Sequence, residues 1–246
     1  MIAPLRQGRL LGLGLGPGDP ELMTIKALRL LKATRHIASF AKAGRQGHAQ
    51  RIIASHLESS HIVLRLEYPV TTELSFHASA YNDALRQFYE DSSETLAAIL
   101  RLGEDVALVC EGDPLFYGSF MHLFVRLRVS FSCEIVPGIS GMSGGWSAAS
   151  LPMTWGDDIL TILPGTLDAP ALISRLQQAD AAVVMKIGRN FDKVRQAIAD
   201  AGRLKEAVYV ERGTMTGEKI VPLADYRGDA APYFSLILIP GHGRRP

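Results

Sequence analysis

Apolar residues in this chain follow two rhythms. Short, nearly continuous apolar runs at Leu10 to Leu15, His36 to Phe40, Ile62 to Leu66, Val106 to Cys110 and Cys133 to Val136 have the length and density of strands covered on both faces. Stretches at helical spacing separate them. Leu22, Ile25, Leu28 and Leu31 recur every three residues with Lys26, Arg29 and Lys32 between, and either Asp19 or Thr24 offers a side-chain oxygen to cap that helix. Further helices are expected through Arg51 and Leu57, over Ser79 to Leu102 with a break at Asp91-Ser92-Ser93, and over Met121 to Arg128. After Pro137 the alternation restarts, with strands Ile159 to Leu163, Ala182 to Ile187, Ala207 to Val210 and Phe234 to Ile239, and helices Ala171 to Gln178 and Phe191 to Ala201. This pattern predicts an α/β fold of two α/β domains, 1–136 and 137–246, each built on a mostly parallel or mixed sheet.

Two of the strands run straight into unusual loops. The first carries Gly12-Leu13-Gly14-Leu15-Gly16-Pro17-Gly18-Asp19-Pro20, where glycines let backbone approach a ligand and Pro17 and Pro20 stiffen the path between them. A dinucleotide fingerprint, G-x-G-x-x-G, fails on it, because Pro17 or Asp19 stands where the third glycine belongs. A sharp strand-to-helix connection is the plain alternative. The second loop is Glu111-Gly112-Asp113-Pro114-Leu115-Phe116-Tyr117-Gly118. In parallel sheets ligands bind where loops leave the carboxyl ends of strands, and both loops leave there. A third run of small residues, Pro137 to Trp146, fits a helix closely approached either by other backbone or by a ligand.

Composition narrows the function classes. With 246 residues, 47% of them hydrophobic and 21% charged, the chain can bury a large core. A net charge of +1 gives no global attraction to nucleic acid or to an anionic membrane, so neither is expected as a partner. The longest apolar runs fall far short of the ~20 residues of a membrane span, and Met1 to Arg9 is too weakly apolar for a secretory signal, so a cytoplasmic location is expected. Cys110 and Cys133 have no zinc-type spacing, and the seven histidines are scattered, with none of the helical pairing of a metal site; no metal is expected.

The ordered segments Gly14 to Thr24, Glu111-Gly112-Asp113-Pro114 with Gly118, and Pro137-Gly138-Ile139-Ser140 resemble the tetrapyrrole methylase family over essentially the whole chain. That resemblance implies two α/β domains with S-adenosylmethionine bound in a cleft between them, and a homodimer. Glu67 to Glu73, Gly141 to Gly144, Leu151 to Asp158 and Leu163-Pro164-Gly165-Thr166 are most similar to the branch that methylates C20 of precorrin-2 in cobalamin synthesis. By the same resemblance, cofactor contacts fall on Pro17, Glu111, Gly112, Asp113, Ser140, Gly141, Met185, Gly213 and Pro240. The family often has glycine where this chain has Glu111.

Chemistry of the reactants sets what the protein must supply. A reduced tetrapyrrole has an electron-rich meso carbon and the sulfonium methyl is a strong electrophile, so alignment at about 3 to 3.5 Å with water excluded is the main requirement. Asp113 and Tyr117 are the candidate acceptors of the proton that the methylated carbon then loses, a substrate carboxylate or water being the alternatives. Lys42, Arg45, Arg51 and Arg189 are candidate partners for the substrate's carboxylates, each with solvated surface charge as its plain reading. The rival functions are the same methylation on a cobalt-loaded precursor, a non-catalytic tetrapyrrole-binding protein, and a dinucleotide oxidoreductase.

Overall fold

A computed structural model of the chain describes residues 6–69 and 79–243. The chain forms two compact units, Met1–Ser140 and Gly141–Pro246. Residues 137–140 lie with the first unit, where the Gly138 N–H donates to Asp113 Oδ2 at 3.1 Å.

The first unit is built on five strands, β1 (Leu10–Gly14), β2 (His36–Lys42), β3 (Ile62–Tyr68), β4 (Val106–Cys110) and β5 (Cys133–Val136), in the order β3-β2-β4-β1-β5. Every neighbouring pair is parallel. Alternate residues of the central strands enter different cores, which is why their sequences read as unbroken apolar runs. Leu11, Leu13, Ala107 and Val109 pack with α1 (Ile25–Ala33) and α2 (His48–Ile52), whereas Leu10, Val106, Leu108 and Cys110 pack with α3 (Ser79–Arg101) and α4 (Phe120–Leu127). Gly12 exists for this second face: a Cβ there would lie 2.4 Å from Cζ of Phe120.

Three local expectations are revised. Both proposed caps act, Asp19 on a short 3-10 turn at Pro20–Leu22 and Thr24 on α1, so one expected helix is two. The buried face of α1 carries Ala27, Leu30 and Leu31, while Ile25, which at about 100° per residue points away from all three, is 87% exposed. α3 runs unbroken through Ser92 and Ser93, which are buried; packing overrides their weak helix propensity.

The second unit holds β6 (Leu160–Pro164), β7 (Ala181–Met185), β8 (Val208–Glu211), β9 (Lys219–Pro222) and β10 (Ser235–Ile239), ordered β6-β7-β10-β8-β9. β6 and β7 are parallel, and β10 is antiparallel to both β7 and β8, so the sheet is mixed. α6 (Ala169–Gln178) and α7 (Phe191–Asp200) cover one face through Leu172, Leu176, Val194 and Ile198, and Met142 and Trp146 of α5 (Gly141–Ala148) pack on the other. The edge strand β9 had no apolar alternation long enough to announce it. No described helix is long and apolar enough to cross a membrane.

Candidate functional site

Strand order brings three loops of the first unit together. β4, β1 and β5 are adjacent and parallel, so the segments that follow them, Leu15 to Pro20, Glu111 to Gly118 and Pro137 to Ser140, all leave the same edge of the sheet. Backbone contact locks them at glycines. Gly112 donates its N–H to the Gly16 carbonyl at 2.7 Å, and these two residues form an isolated antiparallel bridge. A Cβ on Gly14 would sit 2.4 Å from the Gly138 nitrogen, and one on Gly138 would sit 2.1 Å from the Gly112 carbonyl oxygen. Side chains at either position would force the loops apart. Pro17 is buried within this junction, and Gly112 has φ of 64°, a backbone conformation that suits glycine.

Asp113 ties the junction from within. Its Oδ1 accepts the Leu115 N–H at 2.9 Å, closing a local turn, and its Oδ2 accepts the Gly138 N–H, joining the β4 and β5 loops. Glu111 acts sideways: its Oε1 accepts the Ala49 N–H at 2.9 Å, supplying the cap that Gly47 cannot give α2. Nothing in the sequence links residues 62 positions apart in this way. Beside them, burial pushes the Cys110 thiol well up, with the Glu111 and Asp113 carboxylates adding to it, so that sulfur stays protonated. Burial also lowers His48, against the opposing pull of Glu111.

Outward from the junction the loops present apolar side chains. Leu115, Tyr117 and Ile139 are 47%, 45% and 37% exposed. The Tyr117 ring packs edge-on to Phe116 at 4.7 Å, and its backbone has φ of 54°, rare for an aromatic residue. Farther along the sheet, Lys42 ends β2, and Arg45 and Arg51 follow on the next loop and on α2; all three are exposed.

In the second unit Met185 ends β7 and Gly213 follows β8; since both strands run opposite to β10, the two residues share one edge. Gly213 sits against α5, where a Cβ on it would be 3.2 Å from the Gly145 Cα. Gly145 in turn lets α5 close on Leu236, so part of the small-residue run serves helix packing. Gly141, at the start of α5, differs: a Cβ there meets nothing within 4 Å. Pro240 follows the antiparallel β10 and therefore lies at the opposite edge from Met185 and Gly213. Around it, the Gly241 N–H donates to the Met153 carbonyl at 2.9 Å and Asp158 Oδ2 accepts the Gly243 N–H, a tie between chain segments.

Left-handed backbone at non-glycine residues was invisible in the sequence. Among the described residues it occurs at Tyr117, Ser150, Lys186, Arg212 and Thr214, and all but Ser150 stand in loops that leave β4, β7 or β8. Such strain concentrates at ligand-binding positions. Arg189, exposed, follows in the β7 loop. Of the segments most similar to the C20 branch, Val70 to Glu73 lie outside the described residues.

Comparison with known proteins agrees with this architecture. Residues 9–225 match the tetrapyrrole (corrin/porphyrin) methylase family. The chain is 51% identical over 239 residues to a precorrin-2 C(20)-methyltransferase of a Sinorhizobium species, covering 97% of this chain and 98% of that one. It is 27% identical to the cobalt-precorrin-2 C(20)-methyltransferase of Salmonella typhimurium, over 94% of this chain and 96% of the other. A solved uroporphyrin-III C-methyltransferase of Thermus thermophilus, complexed with S-adenosylhomocysteine, superposes with a TM-score of 0.66 at 21% identity, covering 95% of this chain and 97% of that one. The chain belongs to the tetrapyrrole methylase family.

Proposed function

We infer that this protein is an S-adenosylmethionine-dependent C-methyltransferase that methylates C20 of precorrin-2, giving precorrin-3A in cobalamin biosynthesis. The observation that carries the reading is the near-full-length identity to the Sinorhizobium enzyme, well above that to the cobalt-precorrin-2 C(20)-methyltransferase of Salmonella typhimurium. The residues fit the cofactor. Gly141 leaves its backbone open on the side where a Cβ would stand, whereas Gly14 and Gly138 serve the close packing of the loops on one another.

Pro17, Glu111, Gly112, Asp113 and Ser140 in the first unit, with Gly141, Met185 and Gly213 in the second, are the proposed cofactor contacts. Pro240, at the other edge of its sheet, is left out of this set. When bound, S-adenosylmethionine supplies an electrophilic methyl group. The chain's own part is positional. Asp113 holds the β4 and β5 loops in register, and Glu111 fixes the first of these loops to α2. Leu115, Tyr117 and Ile139 offer an apolar face to the macrocycle and exclude water from it. Asp113, whose carboxylate keeps lone pairs beyond the two backbone donors it accepts, and Tyr117, which would have to act as its phenolate, are the proposed acceptors of the proton lost by the methylated carbon, a substrate carboxylate or water being the alternatives. Lys42, Arg45, Arg51 and Arg189 are proposed partners of the substrate carboxylates.

Competing metal-free precorrin-2 against its cobalt-loaded counterpart tests the substrate. The metal-free form is expected to be methylated faster, and a strong preference for the cobalt form would overturn the choice. The same reading has the enzyme working in the cytoplasm as a homodimer, and light scattering at micromolar concentration should return twice the subunit mass; a single subunit's mass would refute the dimer.

A further inference from the structure

We propose that the Thr214 hydroxyl is a further cofactor-binding group, a hydrogen-bond partner for the S-adenosyl moiety; the proposal rests on the methyltransferase reading above. Two independent features of Thr214 are otherwise unexplained. Its backbone has φ of 68°, a left-handed conformation that a β-branched side chain resists. Its Oγ1 is buried and has no hydrogen-bond partner, although a buried hydroxyl normally finds one.

The surrounding turn shows how the conformation is maintained. The Thr214 N–H donates to Glu218 Oε2 at 2.7 Å, the Met215 N–H closes on the Arg212 carbonyl at 2.8 Å, and the Glu218 N–H on the Met215 carbonyl at 3.1 Å. Backbone and Glu218 alone therefore define the turn. Glycine or asparagine would hold the same φ with less strain, so what threonine adds is its side chain. The hydroxyl of that side chain makes no hydrogen bond to a protein group.

Position supplies the ligand class. Thr214 directly follows Gly213 in the β8 loop, at the sheet edge shared with Met185, both proposed cofactor contacts. An adenosyl group offers ring-nitrogen acceptors, an exocyclic amine and ribose hydroxyls, and a threonine hydroxyl, which both donates and accepts, can pair with any of them.

Calorimetric titration of the full chain with S-adenosylhomocysteine, paired with melting of the ligand-free protein, tests this. Thr214→Val keeps shape and strain but loses the hydroxyl, and should weaken binding about five- to tenfold, the loss of one hydrogen bond. Thr214→Ser should bind within about twofold of wild type. Thr214→Gly, which relieves the strain, should melt at or above the wild-type temperature yet bind as weakly as Thr214→Val. Equal affinity in wild type and Thr214→Val would overturn the proposal, as would weakened binding in Thr214→Ser or undiminished binding in Thr214→Gly. Failure of wild type itself to bind would instead remove the cofactor reading beneath it.

Discussion

Position 111 shows how far a single residue can depart from what its neighbours suggest. Glutamate stands there in a loop otherwise shaped by glycine, and its carboxylate caps a helix distant in sequence. Asp113, two residues on, has its carboxylate shared between its own turn and the next strand's loop. Histidines in the same unit give a pH signature. His122 on α4 stacks on Tyr89 at 4.2 Å, and burial first, then Arg126, holds its pKa below the ordinary histidine value. His48 is lowered likewise by burial. Their folded pKa values lie below the unfolded value of about 6.5, so the unfolded chain binds more protons as pH falls past that point. The associated stability is complete above about pH 6.5 and is lost as the pH drops toward the folded values. Urea midpoints should accordingly be lower at pH 5.5 than at 7.5, and His122→Phe, which keeps the aromatic stack, should narrow the gap. An undiminished gap in that variant would show that His122 is not one of its sources.

Elements were legible where period and burial agree. The central strands announced themselves because both faces are covered, and the loops at Gly12 to Pro20 and Glu111 to Gly118 stood out because glycine, proline and aspartate mark forced backbone. What escaped depends on partners distant in sequence. The seam that keeps α3 continuous at Ser92 and Ser93 and the edge pairing that makes β9 a strand are tertiary effects. The run from Gly141 to Ala148 could be named as close packing or ligand contact, but only the structure separates its glycines: Gly145 packs on Leu236, and Gly141 faces open space. That difference is testable. Gly14→Ala, whose Cβ collides with the Gly138 backbone, should cost about 3 kcal/mol of stability. Gly141→Ala should stay within about 0.5 kcal/mol of wild type or gain, since alanine favours helix and meets no neighbour, yet should weaken S-adenosylhomocysteine binding about tenfold. Unchanged affinity in Gly141→Ala would show that the space beside it does not belong to the cofactor.

On the scale of the whole molecule, one unit carries a parallel sheet and the other a mixed one. With a net charge of +1, no general field gathers an acidic macrocycle, so its recognition is proposed to fall to local cations such as Lys42 at the end of β2, Arg45 in the loop after it and Arg189 beyond β7. The loops proposed to hold the cofactor do not by themselves select a ring carbon. The carbon attacked depends instead on how the macrocycle is registered against the methyl group, and an error of about 1 Å costs much of the rate. Incubation with precorrin-2 and carbon-13-methyl S-adenosylmethionine, followed by NMR location of the label, reads that register directly. The expected product carries the labelled methyl on C20, whereas a label on C11, C17 or a pyrrole position would contradict the C20 assignment.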